Sequence, residues 1–443
     1  MANTYLSRTT GTPTQQNTWT WSAWVKFSDD NPAGSRDSTL LSEYYNSGTY
    51  TTYERINLSR LRYETGISSH GSFITNRSFA DTNAFYHIVI VNDWSNSTTA
   101  DRIKLYVNGV RETSFASFTA PSSGSSRING ASEALRIGAK NGTLFFNGIM
   151  SHVHFVDGTA YDASAFGETD ATTGEWKIKT SPSVTYGNNG FFILKDSNSV
   201  TDQSGKGNNL TVGGGTFTKT EDNPSNVFAT LNPLIKFNSS YSAALSNGST
   251  TLSTSTGDTN SNPTPTTLGI TTGKYYWETK FVSLASGTAY ALTGIMAQNP
   301  AGEGNYLGGY NDSYGYASWN GTVYNNGGET GNTSGLATYG VGDILSMAFD
   351  ADNNRLYYYK NGAIQNSGTG IVIPAASTTV LGAWFPAVGD WGSTTHVWSC
   401  NFGSPPYAIS SGNQDGNDYG NFEYAVPSGY LSLNTKNLSE ALS

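Results

Sequence analysis

From end to end the chain is written in short alternating runs of apolar and polar residues, each closed by a turn dipeptide. Alternation with period two sends successive side chains to opposite faces of a strand. The run Trp19-Thr20-Trp21-Ser22-Ala23-Trp24-Val25-Lys26-Phe27 therefore puts Trp19, Trp21, Ala23, Val25 and Phe27 on one face and Trp24 on the other. Phe85 to Val91 is apolar on both faces, as a strand in the middle of a sandwich would be. Arg102 to Val107 alternates cleanly and ends in Asn108-Gly109, a tight-hairpin signal. Leu135 to Gly138 and Gly148 to Val156 read as further strands. Apolar patterns of helical period are nearly absent, so the spacing predicts an all-β fold of antiparallel sandwiches.

The second half repeats the style without repeating the sequence. Lys274 to Val282 is a long strand, and Ile344 to Asp350 leads through a polar turn into Arg355 to Lys360, closed by Asn361-Gly362. Between the halves, Thr220 to Ser225 is a cluster of breakers, which predicts two jelly-roll-like domains in tandem, 1–222 and 223–443. The Ser/Thr/Asn/Gly/Pro-rich stretch from Ser246 to Pro265 reads as polar edge strands joined by a long loop, or as a linker. Trp21, Val25, Ile88, Leu105 and Ile149 are expected in the first core. Trp277, Ile344, Phe349 and Tyr358 are expected in the second.

Composition narrows the function. Apolar residues make up 36% of the 443, yet aromatics reach 13%, so the cores must draw on Trp, Tyr and Phe. That aromatic content also argues against disorder. Net charge is −9 with no basic cluster, which speaks against a nucleic-acid partner. A single cysteine, Cys400, excludes an intrachain disulfide framework. The opening MANTYLSRTTGTPTQQ has no basic n-region or apolar h-region, so no secretory signal is expected, and no segment reads as a membrane span.

Two resemblances follow from ordered motifs. The first half resembles the concanavalin A-like lectin/glucanase (laminin G-like) sandwich through Trp21 to Lys26, Phe85 to Ile88, Leu105 to Gly109, Leu135 to Gly138 and Phe146 to Met150. Asp202 to Asn209 is similar to a closing segment of that family. The second half resembles the SPRY sandwich through Gly273 to Glu278, Tyr339 to Ile344, Tyr359 to Gly362 and Asn401 to Gly403. The pairing, with Tyr5 to Thr9 ahead of the Trp-rich strand, is similar to virion-surface and tail-fibre proteins of tailed phages. This implies a non-enzymatic virion structural or adhesion protein, homo-oligomeric and in contact with other virion proteins. A host-surface glycan is a further implied partner. A stand-alone carbohydrate-binding module and a glycan-cleaving enzyme are the alternatives.

Each chemical constellation has a plainer counterpart. For a glucanase, the concanavalin A-like resemblance implies alternate carboxylates aimed from one strand as acid and nucleophile, whereas Glu168-Thr169-Asp170 and Glu175 lie in a polar, turn-like segment. No catalytic residue is assigned. His152 and His154 alternate along a strand, so both imidazoles would face one side, where they read as half-exposed residues rather than metal ligands. His87 and His396 read as packed strand residues. The laminin G-like resemblance implies loop Ca²⁺ as the one conceivable cofactor, with Asp29, Asp30, Asp93 and Asp157 just after strands; solvated turn aspartates are the competing reading. Tyr306, Tyr310, Tyr314, Tyr316, Trp319 and Tyr324 are interleaved with Gly, Asn and Asp, a composition suited to sugar rings. Tyr314, Tyr316 and Trp319 read as core. Tyr306 and Tyr310, with Trp391 beyond Trp384 and Phe385, are the expected ligand-binding platforms.

Overall fold

The computed structural model describes residues 3–28, 38–46, 51–58, 60–79, 81–195, 199–235, 243–254, 263–297, 305–330, 336–392 and 394–440. The chain forms two compact units, Met1–Ser225 and Asn226–Ser443. Both are β-sandwiches, and the one α-helix among the described residues is the short Thr435–Glu440.

In the first unit an eight-stranded sheet runs Phe115–Thr119, Ser72–Ser78, Arg60–Thr65, Thr51–Leu58, Ser38–Asn46, Ala134–Ile137, Tyr5–Thr9, Thr211–Gly213. A six-stranded sheet, Phe191–Ile193, Gly148–Asp157, Thr18–Phe27, Tyr86–Asp93, Ile103–Val107, Val110–Arg111, faces it. The predicted inner face of the Trp-rich strand, Trp19 through Phe27, is buried between the sheets with Ile88, Leu105 and Phe155. Asn108 and Gly109 take φ of 48° and 79°, the twist a two-residue hairpin needs, and Val107 pairs with Val110. Ile149 departs from expectation. It lies opposite Lys26, while its neighbour Met150 lies opposite Val25 and packs on the core. Ile149 is therefore half-exposed on the outer face.

The strand carrying His152 and His154 also departs from simple alternation. Its register against the Trp-rich strand shifts between Ser151 and His154, and His152 sits at φ 49°. One extra residue makes a bulge. His154 is buried, its ring stacked 3.9 Å from Phe192 and its Nδ1 2.9 Å from the Tyr186 hydroxyl. Among the described residues no group of three His, Cys, Asp or Glu is placed to hold a metal ion.

The outer face of the six-stranded sheet carries a second apolar layer, Val89, Val91, Val156 and Phe192 under Ala163, Phe166 and Tyr186. There His87 lies between Trp24 and Trp176, with ring centroids 4.8 and 5.9 Å away. Trp176 Nε1 donates to His87 Nδ1, so Nε2 carries the proton and donates to Ser22 Oγ at 2.8 Å. The hairpin that delivers Trp176, Gly167–Thr169 with Trp176–Ile178, also carries Glu168, Asp170 and Glu175. Lys177 pairs with Asp170 at 3.0 Å and Glu168 at 3.8 Å, and Asp170 caps the turn through Thr172 N–H and Thr173 N–H. Asp157 accepts N–H bonds from Thr14, Gln15, Asn189 and the Asn129 amide, so its oxygens already serve protein donors. Asp93 caps an exposed turn through Ser95. Asp29 and Asp30 lie outside the described residues. At the unit's end Lys26 and Asp222 form a buried ion pair at 2.6 Å.

In the second unit a nine-stranded sheet runs Ala244–Ser246, Thr251–Ser253, His396–Asn401, Lys274–Leu284, Ile344–Asp350, Arg355–Lys360, Ala363–Ile364. Ile371–Val372 and Leu431–Ser432 are added beside it. The facing sheet runs Thr264–Pro265, Phe385–Asp390, Ala291–Met296, Ser313–Ala317, Val323–Asn325, Gly328–Glu329. The polar stretch from Ser246 to Pro265 thus supplies edge strands to both sheets; residues 255–262 of it are outside the described set. Trp277, Phe349, Tyr358, Trp384 and Trp398 fill the core, and Ile344 is buried at its margin.

Burial, then the neighbouring His152, pushes the His87 pKa down to about 3, and burial pushes His154 down too. Both imidazoles are neutral in the fold, while the unfolded chain takes up protons below about pH 6.5. Above that pH there is no penalty. As pH falls toward 3, the first unit should lose about 1.4 kcal/mol per pH unit for each such histidine. Denaturant unfolding followed by near-UV circular dichroism should show this slope, and His87→Gln should flatten it by about one proton. A slope absent in the parent protein contradicts the assignment.

Candidate functional site

Five partly exposed aromatic rings meet at one end of the six-stranded sheet of the second unit. The registry of three strands brings them there. Ala291 pairs with Asp390, so Tyr290, just before one strand, lies opposite Trp391, just after another, and Trp391 N–H donates to Tyr290 O at 2.8 Å. Leu292 pairs with Ala317, and Ser318 N–H donates to Ala291 O, which carries Trp319 to the same end. Tyr324 comes from the next strand, opposite Gly315. Tyr306 arrives on the loop before Ser313–Ala317.

The rings touch in a continuous circuit. Tyr306 stacks on Trp391 at 5.1 Å and 26°, and Trp319 stacks on Tyr324 at 5.7 Å and 29°. Trp319 meets Trp391 at 5.7 Å, and Tyr306 meets Tyr324 edge-on at 6.1 Å. Tyr290 stands edge-on to both Trp319 and Trp391. Trp391 is 38% exposed, unusual for so large an apolar side chain. Of the expected platforms, Tyr306 and Trp391 are therefore neighbours.

Tyr310 is not part of this surface, which corrects the sequence reading. It is 5% exposed, packed with Leu292, Met296 and Leu307, and its hydroxyl accepts the Asn305 N–H at 3.0 Å. Glycine explains how a loop so polar can bury it. A Cβ on Gly315 would collide with the Leu307 carbonyl, and one on Gly308, at φ 96°, would sit 2.7 Å from Tyr324 O. Without side chains at those positions the loop lies flat on the outer face of the sheet. Trp319 corrects the reading in the other direction: expected in the core, it stands in the patch, whereas Tyr314 and Tyr316 are core. The Asn320-Gly321 pair that follows Trp319 is a turn signal that marks it as a strand-end residue. Trp384 is fully buried, with Nε1 donating to Pro374 O, and Phe385 begins a strand. Tyr290 carries no local signal beyond its place ahead of a strand.

A buried polar chain fixes the wall formed by Tyr290 and Trp391. His396 and Asp390 are both buried, with Nδ1 2.8 Å from Asp390 Oδ2 and 2.8 Å from Thr394 O. His396 Nε2 accepts the Tyr290 N–H at 3.1 Å, so the proton is on Nδ1. Thr254 Oγ1 donates to Asp390 Oδ2 and accepts the His396 N–H. An Asp–His pair can drive proton transfer when Nε2 is free to take a proton. Here Nε2 is engaged by backbone inside the protein, so the pair orients the aromatic wall. What the surface itself offers is stacking, with neutral polar groups at its edge.

Comparison with known proteins finds one family match within each unit. Residues 2–165 match the concanavalin A-like lectin/glucanases superfamily in its Laminin_G_3 form, and residues 274–399 match the SPRY domain. All five rings fall inside the second match. Among solved structures, the SPRY domain of human HERC1 is 20% identical, covering 36% of this chain and 91% of its own, with a TM-score of 0.29. A second human SPRY domain is 19% identical, covering 39% and 100%, also at 0.29. The TRIM65 PSpry domain is 13% identical, covering 39% and 88%, at 0.27. No curated protein matches. The chain carries a concanavalin A-like, laminin G-like domain followed by a SPRY domain.

Proposed function

We propose that this is a non-enzymatic adhesion protein of a tailed-phage particle, and that the five-ring patch of its SPRY unit is the surface that meets a host glycan. The lectin-like and SPRY folds fit a binding and adhesion role. The observation that carries the site is the exposed aromatic circuit around Trp391 and Tyr306, held rigid from behind by Asp390 and His396. Rigid aromatic anchors bind at small entropic cost. The particle context is supported by the resemblance of the domain pairing and of the opening Tyr5 to Thr9. Assembly as a homo-oligomer with other virion proteins follows from that context, since one weak contact suffices when many copies act together. A stand-alone carbohydrate-binding module would use the same patch and differ in copy number.

Two observations support the non-enzymatic reading over glycan cleavage. Glu168, Asp170 and Glu175 sit on an exposed hairpin, where Lys177 pairs with two of them. The Asp390–His396 pair turns its acceptor nitrogen toward backbone. Neither arrangement presents the opposed carboxylates that glycoside hydrolysis uses.

Trp391→Ala and Tyr306→Ala should each remove about 1 kcal/mol of stacking, a loss of several-fold in one contact. In a multivalent array the same changes should cut adsorption to host cells by much more. Each should lower the thermal midpoint only slightly, through the ring contacts it removes. Tyr310→Ala should lower stability by about 3 kcal/mol or more, because it leaves a cavity beneath the loop. Adsorption that survives both patch variants unchanged would remove the patch from the account.

A further inference from the structure

We infer that the ligand of the aromatic patch is an uncharged hexopyranose, held by stacking and neutral hydrogen bonds with no ionic contact. The inference rests on the binding role proposed above for the same patch. The distribution of charge comes first. The second unit has six Lys and Arg against thirteen Asp and Glu, a net of −7 with His neutral, most of the chain's −9. Five of the six cations belong to the nine-stranded sheet or the C-terminal segment. Lys274 pairs with Asp350 and Lys360 with Asp343. Lys280 lies over Tyr407, Lys436 over Tyr419, and Arg355 reaches Gly370 O. The sixth, Lys236, lies outside the described residues. No strand of the sheet that bears the patch contains a Lys or Arg, and none occurs anywhere between Lys280 and Arg355. Sialic or uronic acids and phosphate-bearing polymers would find no counter-charge on the strands of this sheet, where Glu329 pairs with Tyr324.

The spacing of the rings argues against a cation too. An aromatic cage for a quaternary ammonium group sets its walls apart, each within about 6 Å of the cation between them. Here adjacent rings touch one another, from 5.1 Å for Tyr306 and Trp391 to 6.1 Å for Tyr306 and Tyr324, and leave no such gap. Asp390, just before Trp391, is buried within the unit, where its Oδ2 serves His396 and Thr254. What remains is a continuous apolar surface, the counterpart of the C–H face of a pyranose ring.

Polar groups at the edge complete the match. Among the described residues, the Tyr290 and Tyr306 hydroxyls and the Trp319 and Trp391 indole N–H groups have no protein hydrogen-bond partner. Asn320 donates to the Tyr324 hydroxyl at 2.8 Å, which orients that oxygen. Neutral donors and acceptors around an apolar surface suit hydroxyls, which both donate and accept.

The full-length chain would be titrated with cellotriose, lactose and mannotriose, then with sialyllactose, trigalacturonate and choline, at low and at high ionic strength. Binding would be read by calorimetry, with molecular mass followed by light scattering. At least one neutral sugar should bind, with affinity steady to within about two-fold across salt, because no ion pair is there to be screened. Trp391→Ala should weaken it several-fold, and Lys236→Ala should leave it unchanged. Tighter binding of an acidic sugar or of choline, fading with salt, overturns the inference while the adhesion role stands. So does a mass that halves in Trp391→Ala without any sugar bound, since the patch is then an interface with a second copy. If no sugar binds and patch variants adsorb normally, the inference and the proposed function fall together.

Discussion

Cross-sheet packing of large aromatic side chains is the interaction on which both sandwiches depend. A chain so poor in aliphatic residues cannot fill two cores with Leu, Ile and Val alone. Trp19, Trp21, Tyr63 and Phe155 do so in the first unit, and Tyr275, Trp277, Trp384 and Trp398 in the second. Aromatic burial brings polar atoms inside, and their partners shape the interior. Trp19 Nε1 finds Ser126, Trp398 Nε1 finds Gly389 O, and the Tyr339 hydroxyl reaches Ala291 O and Tyr316 O. Trp21 Nε1, Trp277 Nε1 and the Tyr358 hydroxyl are buried without a partner. Each such atom costs about 1–3 kcal/mol, which the ring area it accompanies must offset.

Charge is spent inside the fold on fastening irregular segments to sheets. Asp157 gathers the chain near Thr14 and Asn189. Glu278, buried on the outer face of the nine-stranded sheet, accepts from Tyr276, Asn401, Tyr407 and the backbone of Glu423 and Tyr424. Burial pushes its carboxyl up, against the pull of those hydrogen bonds. Asp415 does the same for Ser432 and Asn437. The Asp390–His396 pair is one more instance, and what it fastens is the aromatic wall. A single structural habit therefore accounts for the loops of both units and for the rigidity of the proposed site.

Much of the fold was legible in the sequence because strand periodicity and hairpin chemistry are local. The inner face of Thr18–Phe27 and the Asn108-Gly109 and Asn361-Gly362 turns needed no knowledge of their partners. Ile149 was misread because its face depends on pairing opposite Lys26, a fact of registry. The bulge at His152 was hidden for the same reason, since an unpaired residue looks like any other in the sequence. The site was half legible. Aromatics interleaved with Gly, Asn and Asp were visible in the sequence, but which of them face outward depended on close backbone approach. Gly308 and Gly315 let the loop press Tyr310 inward, and the strand pairing of Ala291 with Asp390 joined Tyr290 to Trp391 across a hundred residues.

The central claim is that the rings around Trp319 and Trp391 meet the ligand while the other tryptophans hold the fold. Indole N–H resonances of the ten tryptophans in a ¹⁵N-labelled chain, followed while a neutral oligosaccharide is added, separate the two roles directly. The account predicts saturable shifts for Trp319 and Trp391, with Trp277, Trp384 and Trp398 unmoved. Shifts confined to tryptophans of the first unit, with Trp319 and Trp391 silent, would contradict it.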